Sequence, residues 1–238
     1  MTSKREDASK QSYLTVKSKL TPSVFSKEYL INSFLSNTVK AVVSKIVKNR
    51  CGLSVLDVGC GLKPYKAFFG NTIDRYVGLD LSKDSNADVI GAGGNFPIKD
   101  ESFDIVVSFQ VLEHVSDPMA VLKELNRVSK SSGFLVLSTH GIYLEEHGPN
   151  DLWRWTSRGL FKLAEASGFG SIKIYSMSNL ESIIQLLLYY VFIPDNMNII
   201  ALVGNLVGRR FSKTFSGYGP KIHLIHLILA KKKVEQND

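Results

Sequence analysis

Cysteine is nearly absent from this chain. Its 238 residues include only Cys51 and Cys60, too far apart for a CxxC pair. That spacing excludes a zinc or redox signature of this kind and any disulfide framework, so a reduced, cytoplasmic setting and no metal are expected. Tryptophan is scarce too: both copies, Trp153 and Trp155, fall in one polar stretch, HGPNDLWRWT at 147–156. The opening MTSKREDASKQSY lacks an apolar core, which argues against a secretory signal and for a flexible tail over 1–25. Long hydrophobic runs are missing as well. The most apolar segment, 181–211, is split by Pro194-Asp195-Asn196 into halves shorter than the ~20 apolar residues that a bilayer span needs. A helical hairpin packed as a lid beside the active-site mouth is expected there. An exposed apolar face for a lipidic substrate, a membrane or a second subunit is the alternative. The net charge of +7 comes from lysines that are scattered apart from AKKK at 230–233. It predicts general attraction of anions rather than a nucleic-acid groove.

What is present is the material of a globular α/β domain, with 44% hydrophobic and 21% charged residues. One domain over 26–238 is expected, with the 180–211 segment inserted before the last strand. Leu35, Val39, Val42, Val43, Ile46 and Val47 recur three and four apart, the spacing of one apolar helix face. The period then changes. Short apolar runs at 53–59, 75–81, 103–109 and 133–139 read as strands, separated by turns and by DPMAVLKELNRVSK, where Asp117 is placed to cap a helix opening on Pro118. A KSSG turn precedes the fourth of these runs. A helix (SRGLFKLAEASGF), a strand (SIKIYSM) and a last strand (IHLIHLILAKK) follow, the two strands pairing antiparallel at one sheet edge. The expected fold is Rossmann-like α/β: a mostly parallel seven-stranded sheet, helices on both faces, and an antiparallel last strand.

Two features carry chemistry. In VLDVGCG a strand ends at Asp57 and turns through Gly59-Cys60-Gly61, where glycines let backbone approach a ligand closely. Asp80 ends the next strand, 19 positions after Gly61, where a carboxylate accepts the hydroxyls of a ribose. A dinucleotide site asks for a third glycine, but Leu62-Lys63-Pro64 follows. Asp57 inside the strand suits a cation such as an amino-acid ammonium. The pattern favours a ligand with a ribose and an amino-acid tail.

From about 53 to 138 the chain resembles a class I S-adenosylmethionine-dependent methyltransferase of the small-molecule type. VLDVGCG is similar to the family's first motif and YVGLDLS to its second. FPIKDESFDIVVSFQVLEHVSDPMAVLKELNRVSKSSGFLVLS is similar to the long signature from the third motif through the fifth strand. The resemblance implies S-adenosylmethionine as cofactor, with Gly59, Cys60 and Gly61 along its methionine side and Asp57 beneath. It gives the ribose to Asp80, beside Leu81, and has Gln110 and Val111 close over the cofactor. Where family members often carry an acid for the adenine amino group, this chain has Ala92 in GAGGN, which leaves that contact to the backbone near Gly93 or to Asn95.

HGPNDLWRWT follows the fifth strand and resembles a P-x-D-x-W/Y-R block of methyltransferases in saccharide and lipid-linked glycan pathways. His147, or else His140, is the expected base, with Asp151 and Arg154 organising the loop and the tryptophans offering faces to a sugar. The competing reading makes the tryptophans a structural plug and Asp151–Arg154 a structural pair. His114 is expected to order the cofactor loop, with a substrate role as its alternative. The resulting expectation is O-methylation of a small molecule, saccharide or lipid-linked glycan. Two other classes stay open: a nucleic-acid methyltransferase, which the missing NPPY tetrapeptide disfavours, and a non-catalytic cofactor-binding interaction protein. The residues leave the oligomeric state open.

Overall fold

A computed structural model describes residues 12–91, 93–145, 150–177, 179–190, 198–211 and 222–234. The chain divides into two compact units: Val39–Ser176 with Ile225–Asp238, and Met1–Thr38 with Met177–Leu224.

The larger unit holds one sheet of seven strands: β1 (Leu53–Val58), β2 (Ile73–Asp80), β3 (Val89–Ile90), β4 (Phe103–Phe109), β5 (Ser129–His140), β6 (Phe169–Ser176) and β7 (Ile225–Lys232). Their order is β3-β2-β1-β4-β5-β7-β6. Strands β1 to β5 pair parallel, and β7 runs antiparallel to both β5 and β6. This is the mostly parallel sheet with an antiparallel last strand that the apolar runs predict. Consecutive residues point to opposite faces of a strand. Val55 and Leu56 of β1, and Ile105, Val106 and Val107 of β4, are all fully buried, so both faces of the sheet are covered.

Helix α3 (Pro118–Val128) begins as the sequence predicts: the Asp117 carboxylate accepts from the Ala120 N–H at 3.0 Å. It buries Val121, Leu122, Leu125 and Val128 in the main core, each worth roughly 1.5–3 kcal/mol of transfer free energy. Helix α4 (Ser157–Ala166) is capped by Thr156 and buries Leu160 and Ala164. The KSSG segment departs from expectation. Instead of a turn before a strand it is an irregularity inside β5: Ser129 pairs with Phe103 and Phe134 with Ile105, so 130–133 bulge past Asp104. A side chain at Gly133 would stand 2.8 Å from the Lys130 carbonyl oxygen, which is why glycine closes the bulge.

The chain leaves β1 to build β2 and β3 on one side and returns to build β4 and β5 on the other. Adjacent strand ends thus diverge between β1 and β4, the place where open α/β sheets bind ligands. Registers Asp57↔Gly78 and Asp57↔Val107 bring the ends of β1, β2 and β4 level.

The smaller unit is helical. Residues 12–20 form α1, within the stretch expected as a tail, and residues 1–11 lie outside the described residues. Helix α2 (Tyr29–Val47) buries Leu35, Val39, Val42, Val43 and Ile46, the face its spacing predicts, and continues from this unit into the larger one. The 180–211 segment supplies α5 (Asn179–Tyr190) and α6 (Asn198–Phe211), packed on each other. Among the described residues no helix is long and apolar enough to cross a membrane.

Candidate active site

A cleft of about 380 Å³ opens where the ends of β1, β2 and β4 meet. Of the residues the sequence singles out, Gly59, Asp80, Leu81, Gly93 and Val111 line it. Phe96, Val115, Val121 and Leu152 give it apolar walls, while His114 and Asn150 face it from the far side. A mainly apolar cleft with a few convergent polar groups is what a small organic ligand requires.

The β1 turn is fixed by contact. Gly59 has φ +70°, and a Cβ there would lie 2.2 Å from Cγ2 of Val111, so the two loops touch at a place only glycine fits. At Gly61 (φ +47°) and Gly93 (φ +64°) a Cβ would project into open space. Asp80 is doubly held: Oδ2 accepts from the Gly61 N–H at 2.8 Å and Oδ1 from the Ser82 N–H at 2.9 Å. Its carboxylate is thereby oriented at the cleft wall, each oxygen keeping further acceptor capacity.

Asp57 lies beneath the turn and is buried. Burial pushes its carboxyl up to about 7, against the opposing effects of the hydrogen bond from the Tyr76 hydroxyl at 2.7 Å and the nearby Lys63 ammonium, while Asp80 adds to the rise. Cys60 is buried as well; desolvation, with Asp57 and Asp80 close by, raises its thiol to about 12 and keeps it protonated. Lys63, one residue before the place of a dinucleotide motif's third glycine, has φ +54°. Its stem crosses Gly78, where a Cβ would meet Cε at 2.3 Å, and its ammonium pairs with Asp88 at 2.6 Å. The Gly78 N–H and that ammonium hold the Asp88 carboxyl below its ordinary value. Tyr76, Lys63 and Asp88 do not line the cleft but support Asp57 and Gly78 beside it, and sequence reasoning passes over them. The alternation of β2 puts Tyr76 and Gly78 on one face, the only sequence signal that they share a side.

Gln110 differs from expectation. Its φ is +56°, and its amide donates to Ser138 Oγ at 2.9 Å, so it ties β4 to β5 and is not among the cleft-lining residues. Asn95 is exposed and also outside the lining, and Ala92 lies outside the described residues.

His147, the preferred base on sequence, lies outside the described residues. His140 is buried at the end of β5, stacked on Tyr143 with ring centroids 4.1 Å apart, and its Nδ1 is 3.3 Å from Glu113 Oε1. Burial first, then the Arg154 guanidinium, pulls its imidazole down to about 3, and it does not line the cleft. Asp151 and Arg154 form a two-pronged pair, at 2.6 and 2.5 Å, with the arginine also donating to the carbonyls of Tyr143 and Leu144. They bind the loop to itself.

The described part of the tryptophan stretch docks on the turn after β4. Leu152 and Trp153 donate their N–H groups to the Glu113 carbonyl at 2.9 and 3.2 Å. Trp153 Nε1 reaches the Val115 carbonyl at 2.8 Å, and His114 Nδ1 lies 3.1 Å from the Asn150 carbonyl. Trp155 packs against the main core, and the two indoles stack 5.7 Å apart. Trp155 is therefore a plug, whereas the backbone around Trp153 carries Asn150 and Leu152 to the cleft.

Comparison with known proteins agrees with this geometry. Residues 56–137 match the family model of a methyltransferase domain. A Mycolicibacterium smegmatis protein named "probable S-adenosylmethionine-dependent methyltransferase" is 32% identical over 109 residues, 41% of this chain and 42% of its own length. A ubiquinone biosynthesis O-methyltransferase of Parvibaculum lavamentivorans is 25% identical over 115 residues, 46% of this chain and 43% of its own. The matched stretch thus spans less than half the length of these curated relatives. Among solved structures, Haemonchus contortus phosphoethanolamine N-methyltransferase 2, in complex with phosphomonomethylethanolamine and S-adenosylhomocysteine, superposes with TM-score 0.56 at 14% identity, covering 92% of this chain and 59% of its own. That similarity is one of fold.

Proposed function

We propose that residues 56–137, which match a methyltransferase-domain family model, form a class I S-adenosylmethionine-dependent methyltransferase domain, and that this protein transfers a methyl group to an oxygen of a small molecule, saccharide or lipid-linked glycan. The observation that supports the reading is the cleft, whose lining brings Asp80, Leu81, Gly93 and Val111 together with His114, Asn150 and Leu152.

The residues present fit the cofactor. Asp80 offers oriented carboxylate oxygens to a ribose, the open sides of Gly61 and Gly93 admit a ligand against backbone, and the buried Asp57 favours a cation. When bound, S-adenosylmethionine supplies an electrophilic methyl on a sulfonium, a good leaving group. The protein's share is to hold the acceptor in line and to remove its proton. A hydroxyl acceptor has such a proton, and His114 is the histidine that the cleft presents. With Nδ1 donating to the Asn150 carbonyl, its tautomer puts the lone pair on Nε2. The O-methyltransferase among the relatives supports oxygen as the methylated atom.

Transfer of labelled methyl to a panel of hydroxylated acceptors tests this. With an acceptor in hand, His114→Gln is expected to lower turnover by roughly 10²–10⁴-fold while leaving cofactor affinity nearly intact. His147→Ala serves as the parallel variant. Undiminished turnover in His114→Gln with a loss in His147→Ala would return the base to the HGPNDLWRWT loop. Methyl transfer to amines alone would overturn the choice of oxygen.

A further inference from the structure

Helices α5 and α6 are inside out for a protein in water. A helix on a water-soluble domain turns its apolar stripe inward and its polar residues outward. In α6 the residues facing outward are Ile199, Ile200, Val203, Leu206 and Val207, spaced along one helical face and exposed by 40–74%. Turned inward are the small Ala201 and Gly208 and, between them, the fully buried Asn205, whose amide donates to the carbonyls of Val24 and Ser26 at 2.7 and 2.9 Å. Helix α5 repeats the arrangement. Ser182 and Gln185 are fully buried, Ser182 accepting from the Leu224 N–H at 3.2 Å and Gln185 donating to the Lys27 carbonyl, while Ile183 and Leu187 are exposed. Ser182, Gln185 and Asn205 each find a backbone partner in this orientation, while the amide oxygens of Gln185 and Asn205 are buried without one. At Gly208 a Cβ would come within 3.0 Å of Leu30, so close packing locks the rotation of α6.

Charge identifies what covers this face. Among the described residues of the smaller unit five are basic and two acidic, so the unit with the apolar stripe is net cationic. Arg209 and Arg210 follow Val207 after a single glycine, and Lys17, Lys19 and Lys27 are exposed in or just after α1. A second copy of the chain would bring like charge against like charge. An anionic bilayer offers acyl chains to the stripe and phosphates to the cations.

We propose that the smaller unit is a monotopic membrane-docking module, in which the exposed stripe of α6, with Ile183 and Leu187 of α5, seats in the interface of an anionic lipid bilayer. The proposal is independent of which acceptor is methylated.

Flotation of the full chain with vesicles tests it. Binding is expected to equimolar phosphatidylcholine and phosphatidylglycerol vesicles, weakened by salt, and at least about tenfold weaker to phosphatidylcholine alone. Ile199→Ser/Val203→Ser/Leu206→Ser should lower partition by about tenfold or more with an unchanged circular dichroism spectrum and melting temperature, because these side chains are exposed. Ile199→Trp, which keeps the stripe apolar, should still bind and gain a blue-shifted emission on the anionic vesicles. No flotation of the wild type, or flotation that the triple substitution leaves intact, would overturn the proposal. A wild-type dimer that the triple substitution dissociates, with no vesicle binding, would assign the face to a second copy instead.

Discussion

Asp57 titrates where a carboxylate ordinarily does not, and the sign of its effect can be worked out. Its folded value is near 7 against an ordinary 3.8. Between those values the folded protein keeps a proton that the unfolded chain releases. Its contribution to stability therefore falls as pH rises through that window and is constant above it. A cation bound beside Asp57 reverses the preference by favouring the carboxylate. Cofactor binding is thus expected to release a proton near pH 6–7, and affinity should rise with pH by up to about tenfold per unit before levelling off above about 7. Titration calorimetry in two buffers of different ionisation enthalpy reads the proton directly. Asp57→Asn should abolish the release; a release of the same size in the variant would place the titrating group elsewhere. Asp80→Ala should weaken the cofactor by roughly 1.5–3 kcal/mol, the scale of hydrogen bonds to a charged group. Because Asp80 also holds the Gly61 and Ser82 amides, the same variant should loosen the β1 turn.

At the scale of elements, the touching loops after β1 and β4 give a paired test. Gly59→Ala meets both a left-handed backbone and Val111 at 2.2 Å, so it should cost more than Gly61→Ala, which faces open space and bears only the backbone penalty of about 1–2 kcal/mol. Gly59→Ala/Val111→Ala should recover the steric part, a non-additivity that thermal melts of the wild type, Gly59→Ala, Val111→Ala and the double variant reveal. The Asp151–Arg154 pair predicts a different outcome. Asp151 is almost wholly buried, so Asp151→Ala removes both carboxylate acceptors of a guanidinium that keeps the Tyr143 and Leu144 carbonyls, and should destabilise the loop by about 1.5–3 kcal/mol. These elements also show what a sequence discloses. Strands β1 and β4 are legible because two-sided burial demands apolar runs, whereas β2 is buried only toward its end, and the residues just past the strand ends must then reach the sheet edge. The direction of those residues is not legible. Gln110 turns to Ser138 because its φ is positive, and His140 turns inward to Tyr143 and Glu113, choices made by neighbours remote in sequence. Tyr76 beneath Asp57 depends on the register between β1 and β2 in the same way.

Over the whole molecule, the apolar 181–211 segment reads in sequence as a lid, because an insertion before the last strand of such a sheet has the active-site edge within reach. In the structure its helices cluster with residues 1–38 in a unit of their own, held by carbonyls of Val24, Ser26 and Lys27 that no local pattern announces. The two roles, lid and separate module, differ in how far cofactor binding propagates. A ligand at 100 times its Kd stabilises the state it binds by about 2.7 kcal/mol, and hydrogen exchange slows only in segments whose opening releases the ligand. With saturating S-adenosylhomocysteine, amides of 59–61, 80–82 and 110–115 are expected to gain protection, along with the strands that carry them. Amides of α5 and α6 are expected to exchange as in the free protein, and to slow instead when anionic vesicles are added. Protection of α5 and α6 by the cofactor analogue alone would show that these helices close over the cleft, and the lid reading would then replace that of an independent module.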